Sequence, residues 1–249
     1  MSEGYTPREL MVVAAGREIH DLEVVFVGMR LPLLGFGLAK ATHAPGAIGL
    51  FENGVIRDRP AEAFIYTMGD PPNIAGAVAC VRLLDVMSLL QQGRVDVGFL
   101  GGAEIDPMGN LNTTKTMPGG QLVRLPGSGG AGDIASLAGR TVLIMDHEPR
   151  RFKEHVAYIT SPGHHADRRR GGPATLITTL GVFDLRQGRF RVNSLHPGVT
   201  AAAVRAATAF EVELDDSVET TTPPSAEELA YIRHADPEGF WTGDPVRNG

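Results

Sequence analysis

A chain of 249 residues with 43% apolar and 21% charged side chains has ordinary globular usage, which excludes a fibrous or intrinsically disordered protein. The formal charge of −6 gives no electrostatic reason to coat nucleic acid or an anionic membrane. A lone cysteine, Cys80, excludes an intrachain disulfide and a cysteine-based zinc cluster, and the absence of a signal-like start or a spanning apolar run reads as a cytoplasmic protein.

Thr6-Pro7-Arg8-Glu9 opens the chain's first element: Thr at the N-cap, Pro at the first helical position and Glu three residues on make a capping box, with a helix following through residues 10–16. Residues 22–27 are apolar and β-branched and read as a buried strand. It ends in Gly28-Met29-Arg30-Leu31-Pro32, after which a helical pattern runs over residues 33–43. A short apolar run at 48–51 is stopped by Asn53-Gly54. Leu83, Met87 and Leu90 recur at helical spacing, and residues 95–100 form a third strand, stopped by Gly101-Gly102. A glycine-rich turn at 127–132 leads into a short helix at 134–137, and a fourth strand follows at 142–145. Residues 175–180 and 190–192 read as strands, Thr200 caps a helix over 201–209, and Ser225 with Glu228 forms a second capping box for a helix ending near His234. Residues 1–235 read as one domain and 236–249 as a loosely held tail.

Strand and helix alternate along the first 150 residues, which predicts an α/β fold with an open, largely parallel sheet and flanking helices. Ligands in such sheets bind at the carboxyl ends of strands. The residues to watch therefore follow the apolar runs: the loop from Gly28, the Glu52 turn, Gly101-Gly102 and the 127–132 loop.

Glu52 sits directly between Phe51 and Asn53-Gly54, a carboxylate at a strand end in a sharp turn. Spacing alone gives it the commonest fate of such a residue, a solvated turn acid. The Gly127-Ser128-Gly129-Gly130-Ala131-Gly132 loop opens a helix, so its backbone amides suit an anion or oxyanion, against the plainer reading of a flexible turn. The loop also spells G-x-G-x-x-G, with Asp146 after the next strand. Against a dinucleotide site stand Pro126 immediately before the first glycine, a following helix of about two turns, and its place deep in the chain. His147 to Lys153, His155, His164-His165 and Arg168–Arg170 form a local basic cluster, suited either to a phosphate or simply to solvent. No acidic partner lies at a zinc-binding spacing, so no metal site is expected, and no Gly-x-Ser-x-Gly elbow is present.

In their order these segments resemble the β (B-type) subunit of family I CoA-transferases, nearest the glutaconate and 3-oxoadipate group. The resemblance runs from Thr6 to about Arg233. It is carried by Val27-Gly28 with Leu31-Pro32 and Gly35, Phe51-Glu52-Asn53-Gly54, Val97 to Ala103 with Asp106, Gly109-Asn110 and Asn112-Thr113-Thr114, the loop from Gly127 to Ile134, and Arg150-Arg151-Phe152 with Thr160-Ser161-Pro162-Gly163. It implies that Glu52 is a carboxylate nucleophile, passing through an acyl-glutamyl anhydride to a glutamyl-CoA thioester. It further implies that the Gly129, Gly130 and Ala131 main chain stabilises oxyanions and binds CoA, and that Asn53, Gly54, Gly28, Arg30, Gly101 and Gly102 contact substrate. Coenzyme A would be a substrate and no cofactor is required. A separate A (α) subunit would complete an α2β2 enzyme. A CoA-thioester hydrolase or lyase of the same fold, or a non-catalytic partner subunit, are the competing readings; retention of Glu52 favours transfer. Two departures stand out. Arg30 replaces a usual glycine, where its cation would either anchor a dicarboxylate's distal end or simply fold outward, and Met68 lies in Thr67-Met68-Gly69-Asp70, a segment that often begins with Ser.

Overall fold

The structure, a computed structural model, describes residues 4–243 apart from 166–170, 187 and 216. The chain divides into two compact units, one made of Met1–Val86 and Pro223–Gly249, the other of Met87–Thr222.

The first unit contains α1 (Pro7–Arg17), β1 (Val24–Phe26), α2 (Leu31–Ala41), β2 (Ile48–Leu50), β3 (Val55–Arg57), α3 (Pro71–Ile74) and β4 (Ala79–Cys80). The unit boundary falls inside α4 (Leu83–Gln91). The Thr6 capping box forms as expected: the Thr6 hydroxyl accepts from the Glu9 amide at 3.1 Å, and the Glu9 carboxylate accepts from the Thr6 amide at 2.7 Å. α1 and α2 approach closely because Gly16 and Gly35 face one another; a Cβ on Gly35 would meet the Ala15 Cβ at 3.2 Å. β1 and β2 pair in parallel, Phe26 opposite Leu50, and β3 and β4 add antiparallel neighbours in the order β1-β2-β3-β4.

The second unit contains β5 (Val97–Leu100), β6 (Glu104–Ile105), β7 (Leu111–Asn112), β8 (Lys115–Thr116), β9 (Val123–Arg124), α5 (Ala131–Leu137), β10 (Arg140–Ile144), β11 (Pro173–Ile177), β12 (Gly181–Arg186), β13 (Arg189–Leu195), α6 (Ala201–Ala206) and β14 (Glu219–Thr220). Its sheet runs β5-β10-β11-β12-β13-β14. β10 is parallel to both β5 and β11, β12 is antiparallel to its two neighbours, and β14 is again parallel to β13. The α/β expectation holds, with parallel pairs at β1–β2 and β5–β10–β11 and antiparallel hairpins beyond them. Gly98 allows α5 to settle on β5, since a Cβ there would meet the Ile134 side chain at 2.5 Å.

The chain then returns to the first unit with α7 (Ala226–Ala235), capped by Ser225 and Glu228 as the sequence predicts. α7 docks through Ile232, which joins Val12, Val13, Leu34 and Leu38 in one apolar cluster. Two ion pairs flank the seam, Arg17 to Glu228 at 3.0 Å and Arg233 to the buried Glu9 at 2.9 Å. Beyond α7 the buried Asp236 carboxylate accepts from the amides of Phe240, Trp241 and Thr242 at 2.8, 2.9 and 3.0 Å, tying residues 236–242 into a compact turn. Among the described residues no helix is long and apolar enough to cross a membrane.

The second unit buries two histidines with, among the described residues, no acidic partner at either ring. His147 lies flat on Phe152, ring centroids 3.7 Å apart, between the Thr178 and Thr208 hydroxyls. His196 donates from Nε2 to the Thr178 carbonyl at 2.8 Å, which leaves Nδ1 to accept from the Thr221 hydroxyl at 3.0 Å. Burial pushes each imidazole down from 6.5 to about 4. Unfolded, both rings take up a proton below about pH 6.5; folded, they resist until about 4. Their stabilisation is therefore complete above pH 6.5 and is lost as pH falls through that window, at about 3 kcal/mol per histidine by its lower end. Denaturant unfolding at pH 7.5, 6 and 5 is expected to show a progressive loss that His147→Gln with His196→Gln flattens.

Candidate active site

β2 and β3 form a hairpin whose register sets Gly49 opposite Arg57 and Leu50 opposite Ile56. The Phe51 amide donates to the Val55 carbonyl at 2.9 Å, leaving Glu52, Asn53 and Gly54 as a three-residue loop, and the Gly54 amide closes it onto the Phe51 carbonyl at 2.9 Å. Such loops need a left-handed third residue, and Gly54 supplies it at φ +98°. Glu52, the first loop residue, is half-buried at the carboxyl end of β2. Phe51 beneath it is 2% exposed and meets Phe36 edge-on at 6.3 Å.

The loop is pinned from two directions. On one side the Val81 amide donates to the Gly54 carbonyl at 2.9 Å, and the Val81 carbonyl fills the place a Cβ on Gly54 would take. On the other, Asn53 Nδ2 donates to the Met68 carbonyl at 2.7 Å while its Oδ1 accepts from the Val55 amide at 3.3 Å. That carbonyl also accepts from the buried Asn73 Nδ2 at 2.7 Å. Asp70 shapes the segment by accepting from the amides of Tyr66 and Thr67 at 2.8 and 2.9 Å and from the Thr67 hydroxyl at 2.8 Å. The Thr67 bonds hold the Asp70 carboxyl below its ordinary range. Since Met68 acts through its main chain, its departure from the family pattern leaves this contact untouched. Further back, the buried Arg57 guanidinium donates to the carbonyls of Arg59, Pro60, Pro72, Asn73 and Ala75. Burial pulls its pKa down. Arg57 thus gathers the whole 59–75 segment behind the Glu52 loop.

β1 ends beside this loop. The Val27 amide donates to the Leu50 carbonyl at 2.9 Å, so Gly28 leaves β1 at the same end of the sheet where Glu52 leaves β2. Arg30 follows at φ +70°, ψ −121°, the mirror image of extended backbone, which glycine enters freely and other residues at a cost of about 1–3 kcal/mol. The Arg30 guanidinium lies over the Trp241 indole, 5.2 Å from the ring centroid. Trp241 stacks in turn on Tyr66 at 5.6 Å and donates from Nε1 to the Ile65 carbonyl at 3.2 Å.

In the second unit, Gly101 and Gly102 follow the carboxyl end of β5, Gly101 exposed and Gly102 accepting at its carbonyl from Arg151 Nη1 at 3.1 Å. The 127–132 loop is anchored where the Gly127 amide donates to the Thr113 carbonyl at 2.9 Å. The Thr160 hydroxyl accepts from the Thr113 amide at 2.9 Å and meets the Thr114 hydroxyl at 2.8 Å. Three motif segments far apart in sequence therefore converge. Of the expected oxyanion donors, Ala131 is already engaged: its amide donates to the Ser128 carbonyl at 2.9 Å, closing the loop. Gly129, at φ +46°, is exposed, and Gly130 is buried at the start of α5.

Sequence reasoning missed Glu104. Buried to 6% exposure, it accepts from Asn112 Nδ2 at 2.7 Å, the Thr116 hydroxyl at 2.6 Å and the Ala157 amide at 3.0 Å. Burial alone would raise its pKa; these bonds outweigh burial and hold it below the ordinary value. Two cations of the basic cluster prove to be paired within it: Glu148 receives Arg150 at 2.6 Å and Arg151 at 2.8 Å, and His147 is interior. Residues 168–170 lie outside the described residues.

Residues 8–207 match the family model described as Coenzyme A transferase. The B-type subunit of the 3-oxoadipate CoA-transferase of Pseudomonas knackmussii is 36% identical over 241 residues, covering 92% of each chain. The crystal structure of glutaconate coenzyme A-transferase from Acidaminococcus fermentans superposes with a TM-score of 0.88 at 27% identity, covering 97% of this chain and 99% of that one. That of the decarboxylase AibA/AibB superposes at 0.84 with 31% identity, covering 95% and 97%.

Gly54→Ala combines an unfavourable φ with a backbone clash at Val81. It is expected to cost more than about 2 kcal/mol in denaturant unfolding. Asn53→Ala, which frees the Met68 carbonyl and Val55 amide at an exposed position, is expected to cost about 1 kcal/mol.

Proposed function

The chain belongs to the coenzyme A transferase family as a B-type subunit, and from that premise we propose that Glu52 is the nucleophile that carries CoA from an acyl-CoA thioester to a carboxylic acid. The observation that carries this reading is the placement of Glu52 at the head of a hairpin loop pinned on both sides at a strand's carboxyl end. A carboxylate held in this way loses little further freedom on reaching a thioester carbonyl.

The Glu52 carboxylate oxygen attacks the thioester carbonyl; the C–S bond breaks, giving an acyl-glutamyl anhydride and CoA thiolate. The thiolate then attacks the glutamyl carbonyl, expelling the donor's carboxylate and leaving a glutamyl-CoA thioester. The acceptor carboxylate attacks that thioester, forming a new anhydride and thiolate, and the thiolate takes the acyl group, restoring Glu52. Each bond broken is matched by one formed among Glu52 and the two substrates, so the cycle consumes no water and no co-reactant, and CoA enters as substrate. Each tetrahedral intermediate gains from a preorganised amide donor, worth about 3–4 kcal/mol where such donors have been removed. We carry over from the family resemblance an oxyanion-stabilising and CoA-binding role for the Gly129–Gly130 main chain and substrate contact for Gly101 and Gly102. Gly28 and the Asn53–Gly54 loop border the carboxyl end of β2, where the thioester would be received.

The relatives are subunits of two-component enzymes, and we propose the same for this chain: an A (α) subunit as partner, in an α2β2 assembly working in the cytoplasm.

Glu52→Gln in the assembled enzyme is expected to lower the transfer rate by a factor on the order of 10³ or more. The change in unfolding free energy should stay within about 0.5 kcal/mol, because the loop is held by its main chain and Asn53. Transfer at the wild-type rate in this variant would remove Glu52 from the mechanism.

A further inference from the structure

We infer that Arg30 anchors a second carboxylate on the acid substrate, remote from the one that reacts, and that Trp241 is the positioning residue that holds the guanidinium in place for it. This rests on the Glu52 reading and names its substrate class: an aliphatic dicarboxylic acid.

β1 and β2 are adjacent parallel strands with Phe26 opposite Leu50, so their carboxyl ends lie about 4.8 Å apart. Glu52 leaves one strand and Gly28-Met29-Arg30 leaves the other, on the same side of the sheet. An acid whose reacting carboxylate meets Glu52 would extend its chain across this edge.

Arg30 and Leu22 are the non-glycine residues at positive φ among the described residues. At the start of α2 the Arg30 carbonyl accepts from the Leu33 amide at 3.0 Å, while its side chain makes no cap hydrogen bond to the helix. What the arginine adds over glycine is its side chain. Strain retained at the mouth of a site is consistent with use there.

Among the described residues no carboxylate lies within salt-bridge distance of Arg30. Its contact is face-on with Trp241 at 5.2 Å. The cation rests over the indole ring, and with no carboxylate paired to it among the described residues its N–H donors can take a carboxylate in bidentate fashion. Trp241 is itself fixed, by its Nε1 bond to the Ile65 carbonyl at 3.2 Å, by Tyr66 stacked upon it, and by the Asp236 turn from which it projects. The segment 236–242, which reads from sequence as a loose tail, here forms the shelf on which the cation rests.

The test uses the assembled two-subunit enzyme with one acyl-CoA donor and a series of acceptors, malonate to adipate, each against the monocarboxylate of equal length. The wild type is expected to prefer at least one dicarboxylate. Arg30→Ala should lower that preference, the ratio of kcat/KM values, by about 100-fold, mainly through the dicarboxylate KM; Arg30→Lys should retain part of it. Trp241→Leu should lower the ratio about 10-fold. Arg30→Gly should match Arg30→Ala in the ratio while raising the thermal midpoint, since glycine relieves the backbone. An unchanged ratio in Arg30→Ala overturns the proposal, as does a wild type that favours no dicarboxylate. A rise in the acyl-CoA KM that is equal for every acceptor overturns it in favour of a CoA phosphate as the anion. Failure of the wild type to transfer CoA to any acid overturns the Glu52 reading, and this one with it.

Discussion

The first unit depends on a contact between two stretches of backbone. The Val81 carbonyl occupies the space where any residue other than glycine at position 54 would carry its Cβ, and the Val81 amide bonds the Gly54 carbonyl. That contact fixes the loop's third residue in the left-handed region. The loop type then fixes the first residue, Glu52, at the end of β2. Asn53 locks the middle position to the Met68 carbonyl, and Asn73, Asp70 and Arg57 hold the segment bearing that carbonyl. An acid is thus mounted on a rigid support, which favours a reaction whose chief need is orientation of a weak nucleophile.

The second unit reaches a comparable result with side chains. Glu104, Asn112 and Thr116 form one buried polar group, and Thr160 clasps residues 113–114, from which the glycine loop hangs. Each oxygen of the buried Glu104 carboxylate has named donors, as a polar interior requires. The two neutral histidines extend the same pattern toward β11 and β13, with hydroxyls in place of charges. The unit therefore carries its glycine loop on a network with little tolerance for disorder.

Local chemistry made much of this legible. The capping boxes at Thr6 and Ser225 form as read because their bonds span only three residues. The strands at β1, β2, β5 and β10 announce themselves as apolar runs. β12 escaped because Gly181 marks its start in the way that glycine usually marks a stop, although Val182 to Leu185 alternate half-buried and buried. The paired dipeptide strands β6 to β9 are too short for any periodicity to register. At the site, Glu52 and Gly54 were visible as a motif, but the supporting residues were not: Arg57, Asp70 and Asn73 look like ordinary polar residues until the 59–75 segment folds back. Glu104 looks like a surface acid and is buried, and Trp241 meets Arg30 across more than two hundred positions of sequence. Such pairings are set by tertiary closure and leave no periodic trace.

Transfer by this route requires a covalent bond between Glu52 and coenzyme A. Mixing the two-subunit enzyme with an acyl-CoA, quenching with borohydride and mapping peptides by mass spectrometry tests it directly. The expected result is a glutamate reduced to its alcohol in the peptide carrying residues 51–54, absent when acyl-CoA is omitted. An unmodified Glu52 under turnover conditions, with transfer proceeding at full rate, would contradict it.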